Sequence, residues 1–374
     1  MKLNSILTGL LTSASLFVFA QNTIVDTIVS NGIDRSYRLY VPAAYNGSTA
    51  RPILFDFHGY GSNAQQQQLY SNFMPIADTA NFLVVYPQGT SIGGQQYWNA
   101  GQGIGGANDL LFVSSLLDTI KAHYNIDENS VYSCGMSNGG FMSHSLACTF
   151  NDKIAAIASV TGTIFTPQYL SCVPNRAVPV MQIHGTADVV VPYVGQVGVE
   201  SVETTINYWV GNNNCNTTPV FTNVPNTNLF DGCTAEHYVY NGGDNGSTCE
   251  LYKIIGGAHS WPGAPFIIGV TNQDFNASLQ MWLFFKKYKL NQLVGINEQN
   301  QENTISIYPN PSQSNIYIKT PEGVDANTQI VDINGKIVVE GKERQLSIDL
   351  IPAGVYSVLI STKNGRVAKR LVKL

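Results

Sequence analysis

A serine becomes a useful nucleophile only when a base takes its proton and an acid orients that base. Three stretches of this chain offer those parts in order. The first is Gly135-Met136-Ser137-Asn138-Gly139-Gly140, placed where an apolar strand ends and a helix begins. A sharp strand-to-helix turn holds such a serine in a strained backbone conformation, and the flanking glycines avoid clashes around it. The turn raises the hydroxyl above the sheet, at the positive end of the following helix. The second stretch is His184-Gly185-Thr186-Ala187-Asp188, with Asp188 just past a strand end, where a loop can aim its carboxylate. The third is Gly256-Gly257-Ala258-His259-Ser260-Trp261-Pro262-Gly263, a glycine-rich loop after another strand, from which His259 can reach back across the strand ends. Ser137, Asp188 and His259 are therefore the expected catalytic residues, as nucleophile, acid and base.

Acyl transfer also needs donors for the oxyanion of its tetrahedral intermediate. The backbone N–H of Asn138 is the first expected donor. The second should come from the loop after Pro52 to Phe57, where His58-Gly59-Tyr60-Gly61 stands, with Tyr60 as the leading donor and Gly61 next. His58 reads as a structural hydrogen-bonding residue rather than a second base. His123, His144 and His237 have no motif around them and are assigned no role. Trp98 and Trp261 are candidates for the lining of an aromatic acyl pocket, with burial in the core as the competing expectation.

These residues must be positioned by a sheet. Pro52 to Phe57, Phe82 to Tyr86, Val131 to Cys134, Ile154 to Val160, Val178 to Ile183 and Leu251 to Ile255 are short apolar runs, as buried parallel strands require. Tyr37 to Val41 alternates like an early sheet strand. Asp109 to Ile120, Asn138 to Cys148 and Phe275 to Tyr288 have helical spacing. Strands separated by helices imply an α/β, mostly parallel sheet with helices on both faces.

Composition narrows the setting. The chain has 374 residues, 44% of them hydrophobic, which is enough for a sizeable core, while only 12% are charged, against roughly 25% in an average soluble protein. A net charge of −5 supplies no basic field for nucleic acid and no polycationic face for lipid. Residues 1–20 read as a secretory signal peptide: Lys2, then a short apolar stretch ending in Ala20. That stretch falls short of the ~20 residues a membrane span needs, so no span is expected in the mature protein. Export permits disulfides. Among six cysteines the expected pairs are Cys148 with Cys172 and Cys215 with Cys249, and Cys134 reads as a buried thiol.

The pattern changes near residue 291. Residues 21–290 form the expected α/β domain, 291–303 a polar linker, and 304–374 a small all-β, sandwich-like domain. Asp332-Ile333-Asn334-Gly335 and Lys363-Asn364-Gly365 are hairpin-turn signals within it. From Thr304 onward nine Lys and Arg stand against six Asp and Glu, opposite in sign to the rest of the chain.

Taken together, His58-Gly59, Asn108-Asp109, the Gly135 to Gly140 string, His184 to Asp188 and Gly257 to Gly263 make residues 24–290 resemble secreted feruloyl esterases and polyhydroxybutyrate depolymerases. That resemblance implies the α/β-hydrolase fold and hydrolysis of carboxylic esters through an acyl-enzyme, with no metal or organic cofactor. It carries the three roles onto Ser137, Asp188 and His259. Two positions depart from the pattern: Tyr60 stands where many depolymerases have Cys, and Asn108-Asp109 where two acidic residues are common. The tail, through Tyr308-Pro309-Asn310-Pro311, Val331 to Lys336, Ala353 to Tyr356 and Lys369 to Lys373, resembles a type A sorting domain of the type IX secretion system. This implies the type IX machinery as a partner, with release or surface attachment after export in a Bacteroidetes-type cell. A carbohydrate-binding module is the weaker alternative for the tail, which has no Trp to form a sugar platform. The leading expectation is release of feruloyl or acetyl groups from xylan. The alternatives are cleavage of 3-hydroxybutyrate oligomers, a serine peptidase, and an inactive fold used for adhesion.

Overall fold

The computed structural model describes residues 22–102, 106–293, 305–320, 325–332, 336–362 and 365–374. The described chain opens with an antiparallel pair, β1 (Asn22–Ser30) and β2 (Ile33–Val41). Asn31 and Gly32 turn it at φ 52° and 75°, as the left-handed centre of a tight hairpin requires. Then come β3 (Arg51–Phe57), α1 (Ala64–Ser71), α2 (Met74–Ala80) and β4 (Leu83–Pro87), and a short hairpin of β5 (Thr90–Ile92) and β6 (Gln95–Tyr97). The middle of the chain alternates α3 (Asp109–His123), β7 (Ile126–Met136), α4 (Asn138–Thr149), β8 (Ala156–Val160), α5 (Thr166–Ser171), β9 (Val180–Gly185) and α6 (Val202–Asn212). It closes with β10 (Val220–Asn223), β11 (Thr234–Tyr240), β12 (Cys249–Ile255) and α7 (Ala277–Phe285).

The long strands form one ten-stranded sheet in the order β1-β2-β4-β3-β7-β8-β9-β12-β11-β10. Its centre, from β4 to β12, is parallel, and both flanks are antiparallel. β4, β8 and β9 are buried at every position, because helices cover both faces and leave no side of a central strand wet. Successive residues of β3 point to opposite faces. Ile53, Phe55 and Phe57 join the core that holds Phe112 and Trp209, while Leu54 joins the core of Phe82, Trp282 and Phe284. The expected closing helix is shorter than Phe275 to Tyr288: Asn276 caps α7 by accepting the Leu279 N–H, a preferred Ncap role for that residue type. Parallel pairing puts the C-terminal ends of β7, β9 and β12 along one edge of the sheet, the edge on which ligand sites of open α/β folds assemble.

Residues 305–374 have their own core. β13 (Ser306–Tyr308), β14 (Asn315–Lys319), β15 (Ala326–Val331), β16 (Ile337–Gly341), β17 (Gln345–Ser347), β18 (Gly354–Thr362) and β19 (Gly365–Lys373) form two sheets, ordered β13-β14-β17 and β16-β15-β18-β19. Ile305, Ile316, Ile330, Ile348, Val358, Ile360 and Leu371 fill their core. The expected signal peptide, linker residues 294–303, and turn centres Ile333 to Gly335 and Lys363-Asn364 lie outside the described residues. Among the described residues no helix is long and apolar enough to cross a membrane.

Cys148 at the end of α4 is bonded to Cys172 after α5, with Cα atoms 5.2 Å apart. The second expected pair is not joined: Cys215 and Cys249 are buried free thiols, with Asn213 Nδ2 donating to the Cys249 sulfur at 3.4 Å. The Cys148–Cys172 loop has a sequence separation of 24, for which loop closure contributes about 3 kcal/mol. Cys172→Ala should lower stability by about that amount in denaturant titrations under oxidising conditions, and the gap to wild type should vanish in reductant.

Asp56 is a second determinant of stability. It is fully buried in β3, where Gln67 Nε2 donates to its carboxylate at 2.8 Å and the Cys134 thiol lies 3.5 Å away. Burial pushes the carboxyl up to about 7, against the smaller opposing pull of Ser71, Gln67 and Cys134. The folded state therefore prefers the neutral acid. Its stabilising contribution is complete below the unfolded value near 3.8 and is lost as pH rises to about 7. Above that, the ionised group costs on the order of 4 kcal/mol. Asp56→Asn, which still offers an acceptor to Gln67, should raise Tm at pH 8 and leave it little changed at pH 4. A pH-independent difference between the two proteins would contradict this assignment.

Candidate active site

Ser137 stands between β7 and α4 at φ 54°, ψ −120°, a conformation that costs a non-glycine residue about 1–3 kcal/mol. The neighbouring elements hold it there. Its N–H donates to the Val160 carbonyl at 2.8 Å, and its carbonyl accepts the Phe141 N–H at 3.0 Å. The close turn explains the glycines. A Cβ on Gly135 would lie 2.5 Å from the Gly139 carbonyl carbon, and one on Gly139 would lie 2.0 Å from the Phe57 carbonyl oxygen. Asn138 is the first residue of α4, so its N–H has no intrahelical acceptor and adds to the positive pole of the helix.

Asp188 follows β9 by three residues, and its side chain is buried. Oδ1 accepts the N–H groups of Val190 and Val191 at 2.8 and 2.9 Å. Oδ2 lies 2.7 Å from His259 Nδ1 and 3.4 Å from His184 Nε2. Burial alone would raise this carboxyl. The neighbouring imidazoles of His184 and His259, joined by the Val191 N–H, outweigh it and hold the group well below the usual carboxylate range. With Nδ1 given to the carboxylate, His259 keeps Nε2 for a substrate-side partner. Ser137 and His259 line the same cavity. No hydrogen bond joins them among the described residues, and such bonds commonly tighten only when substrate arrives.

The loop after β3 makes a turn in which Ser62 N–H donates to Gly59 O at 3.1 Å and Gly61 sits at φ 74°. Gly61 is removed as an oxyanion donor, because its N–H donates to the Gln96 carbonyl in β6 at 2.8 Å. The Tyr60 amide donates to no backbone carbonyl among the described residues. His58 is fully buried, with Nδ1 2.8 Å from Gly59 O and Nε2 accepting the Gly89 N–H at 3.0 Å. Burial pulls its imidazole down to about 4, so it stays neutral and buttresses the loop.

The cavity has a volume of 520 Å³, and its larger lining residues are Tyr60, Leu69, Tyr70, Met136, Phe266 and Ile268. The two tryptophans weighed as pocket lining follow the competing expectation and are buried in the core. Trp98 is 0% exposed, packs edge-on against Phe57 and donates Nε1–H to His58 O at 2.9 Å. Trp261 is 1% exposed and donates Nε1–H to Ser278 Oγ at 3.1 Å. Both brace the site from beneath. The Trp98 backbone exchanges two hydrogen bonds with the Asn138 amide side chain, at 2.6 and 3.1 Å. The adjacent Asn99 N–H donates to Asp109, which is ion-paired with buried Arg35 at 2.6 Å. The Trp261 N–H donates to the Tyr70 hydroxyl at 3.1 Å. One sequence signal for the true lining was available: Phe266-Ile267-Ile268, an apolar triplet in the loop just beyond the His259 motif. Leu69 and Tyr70 on α1 carry no comparable signal.

Residues 35–208 match the family model described as esterase PHB depolymerase, and residues 306–374 match the secretion system C-terminal sorting domain. Over 240 residues the chain is 30% identical to a bifunctional acetylxylan esterase/xylanase of Neocallimastix patriciarum, covering 64% of this chain and 33% of that protein. It is 27% identical to feruloyl esterase B of Piromyces equi, covering 57% of this chain and 38% of the relative. A putative esterase, NocK, of Nocardia uniformis is 25% identical over 68% of this chain and 80% of its own length. Among solved structures, an acetyl xylan esterase from Aspergillus awamori shares the fold with a TM-score of 0.50 at 13% identity, over 70% of this chain and 99% of that one.

Proposed function

We propose that this chain, which carries an esterase PHB depolymerase domain at residues 35–208 and a secretion-system sorting domain at residues 306–374, is a secreted or cell-surface serine carboxylic-ester hydrolase. Its preferred substrates are aromatic acyl esters of the feruloyl kind on plant cell-wall polysaccharide. The observation that carries the reading is the Asp188–His259 bond of 2.7 Å at the cavity that also holds the strained Ser137.

His259 Nε2 takes the Ser137 proton as Oγ attacks the ester carbonyl, and Asp188 stabilises the imidazolium through Nδ1–H. The N–H groups of Asn138 and Tyr60 hold the oxyanion, helped by the α4 dipole. The alcohol leaves with the proton from His259. Water, deprotonated by the same base, then releases the acid from Ser137. A cavity of 520 Å³ with three aromatic rings is roomier than an acetyl group needs and suits an aryl acyl chain. Phe266, Ile267 and Ile268, each more than half exposed, favour a second reading in which a 3-hydroxybutyrate chain lies along the apolar rim.

The deciding measurement is kcat/KM on methyl ferulate, acetylated xylan and 3-hydroxybutyrate oligomers. Methyl ferulate should be turned over best. A preference for acetylated xylan or for the oligomers would replace the aryl reading with deacetylation or depolymerisation, and silence on all three would remove ester hydrolysis.

A further inference from the structure

Behind Asp188 runs a buried chain of polar side chains whose direction is fixed at its far end. The Trp209 indole can only donate, and its Nε1–H meets His144 Nδ1 at 3.1 Å. His144 lies in α4, is 0% exposed and is pulled by burial to about 4, so it is neutral. With Nδ1 accepting, its proton sits on Nε2, which donates to Gln182 Oε1 at 3.2 Å. The Gln182 amide is thereby oriented. Its Nε2 donates to Gly162 O at 2.8 Å and to His184 Nδ1 at 3.2 Å. His184 must then carry its proton on Nε2, which faces the Val191 carbonyl at 2.8 Å and Asp188 Oδ2 at 3.4 Å. Gln182 and His184 stand two apart on β9, so both point to one face of the sheet.

We propose that His184 is a positioning residue for Asp188, held in its Nε2–H tautomer by the one-way donor chain Trp209, His144, Gln182. The proposal rests on the reading of Asp188 as the acid of the catalytic group. His184 acts at two points. It ties the carbonyl of Val191, whose own N–H holds Asp188 Oδ1. Its Nε2, whose proton faces the Val191 carbonyl, also lies 3.4 Å from Oδ2, the oxygen that orients His259. A carboxylate that shares its charge between two imidazoles is a weaker base toward each, so His184 sets both the aim of Asp188 and its hold on the His259 proton. The other ionisable groups here are Tyr193, whose ring lies edge-on to His184 at 5.9 Å, Glu203 beside Tyr193, and Lys253, whose ammonium sits 5.1 Å from the Tyr193 ring.

The test uses the full chain and p-nitrophenyl acetate, with kcat, KM and the pH profile of kcat/KM measured for three variants. His184→Phe should lose about 10–100-fold in kcat with little change in KM. Its acidic limb should move up by about half a pH unit, because Asp188, freed of one neighbouring imidazole, holds the His259 proton more tightly. Gln182→Glu, which can only accept, should reproduce that loss and shift by forcing the His184 proton to Nδ1. His184→Gln, which retains an N–H donor, should recover most of the activity. A fall in kcat with an unmoved acidic limb would reduce His184 to a packing role and overturn the proposal, as would a wild-type profile in His184→Phe. If that variant does not fold, the Gln182→Glu profile decides. A wild type that neither turns over the ester nor is labelled at Ser137 by a fluorophosphonate would instead overturn the parent reading.

Discussion

Ser137→Ala should lower kcat on any accepted ester by about 10⁴-fold or more, with the protein still folded. Among the described residues, the side chain to be removed makes no hydrogen bond that holds the fold. The anchoring contacts are the backbone bonds to Val160 and from Phe141, and alanine keeps both. A further consequence separates strain from chemistry. At φ 54° and ψ −120° a side chain is held against its preference, so Ser137→Gly should be as inactive as the alanine variant yet more stable, by about 1–2 kcal/mol. Wild-type-like turnover in Ser137→Ala would end the assignment, and a glycine variant no more stable than the alanine one would show that the turn stores no strain.

Asp188→Asn should cost about 10³- to 10⁴-fold in kcat at pH 7 with KM nearly unchanged. The carboxylate accepts at both oxygens: two backbone N–H groups on Oδ1, and His259 Nδ1–H on Oδ2, with His184 Nε2 3.4 Å away. An amide can match only one side. If its oxygen faces Val190 and Val191, its NH₂ meets His259 Nδ1 and moves the imidazole proton to Nε2, the nitrogen that must accept from serine. Reversing the amide would set NH₂ against two N–H donors. The acidic limb of the pH profile should also fall, since the imidazolium loses its anionic partner. A variant within tenfold of wild type would mean that another group orients His259.

The candidate catalytic residues were readable because each belongs to a short motif at a strand end, where local sequence states both chemistry and placement. The central strands were readable for a related reason: helices on both faces demand unbroken apolar runs. What escaped depends on contacts between distant segments. Trp261 is two residues from His259, yet its ring turns beneath the loop to Ser278, and spacing along the chain cannot say which way a loop side chain turns. Gly61 looked as able a donor as Tyr60 until β6 supplied an acceptor for its N–H. His144 and Gln182 sit 38 residues apart, so no motif could announce the bond between them. β1, β10 and β11 of the antiparallel flanks were likewise missed, because strands such as β10, exposed at every position, lack an unbroken apolar run, whereas Tyr37 to Val41 of β2 was legible from its alternation.

The placement of the site along four adjacent strands also bears on when the protein becomes active. Ser137, Asp188 and His259 sit at the ends of β7, β9 and β12, and β8 separates the first two strands. Asp188 and His259 are 71 residues apart in the chain, and the parallel β9–β12 pairing that joins them is a non-local contact of the slow-forming kind. Until that pairing closes, a partly folded chain has a serine but no oriented base. On the proposed function, hydrolytic power therefore arrives with completion of the sheet, and a partly folded chain lacks it. Appearance of activity during refolding should accordingly trail the recovery of helical signal, making the enzyme a reporter of its own last folding step.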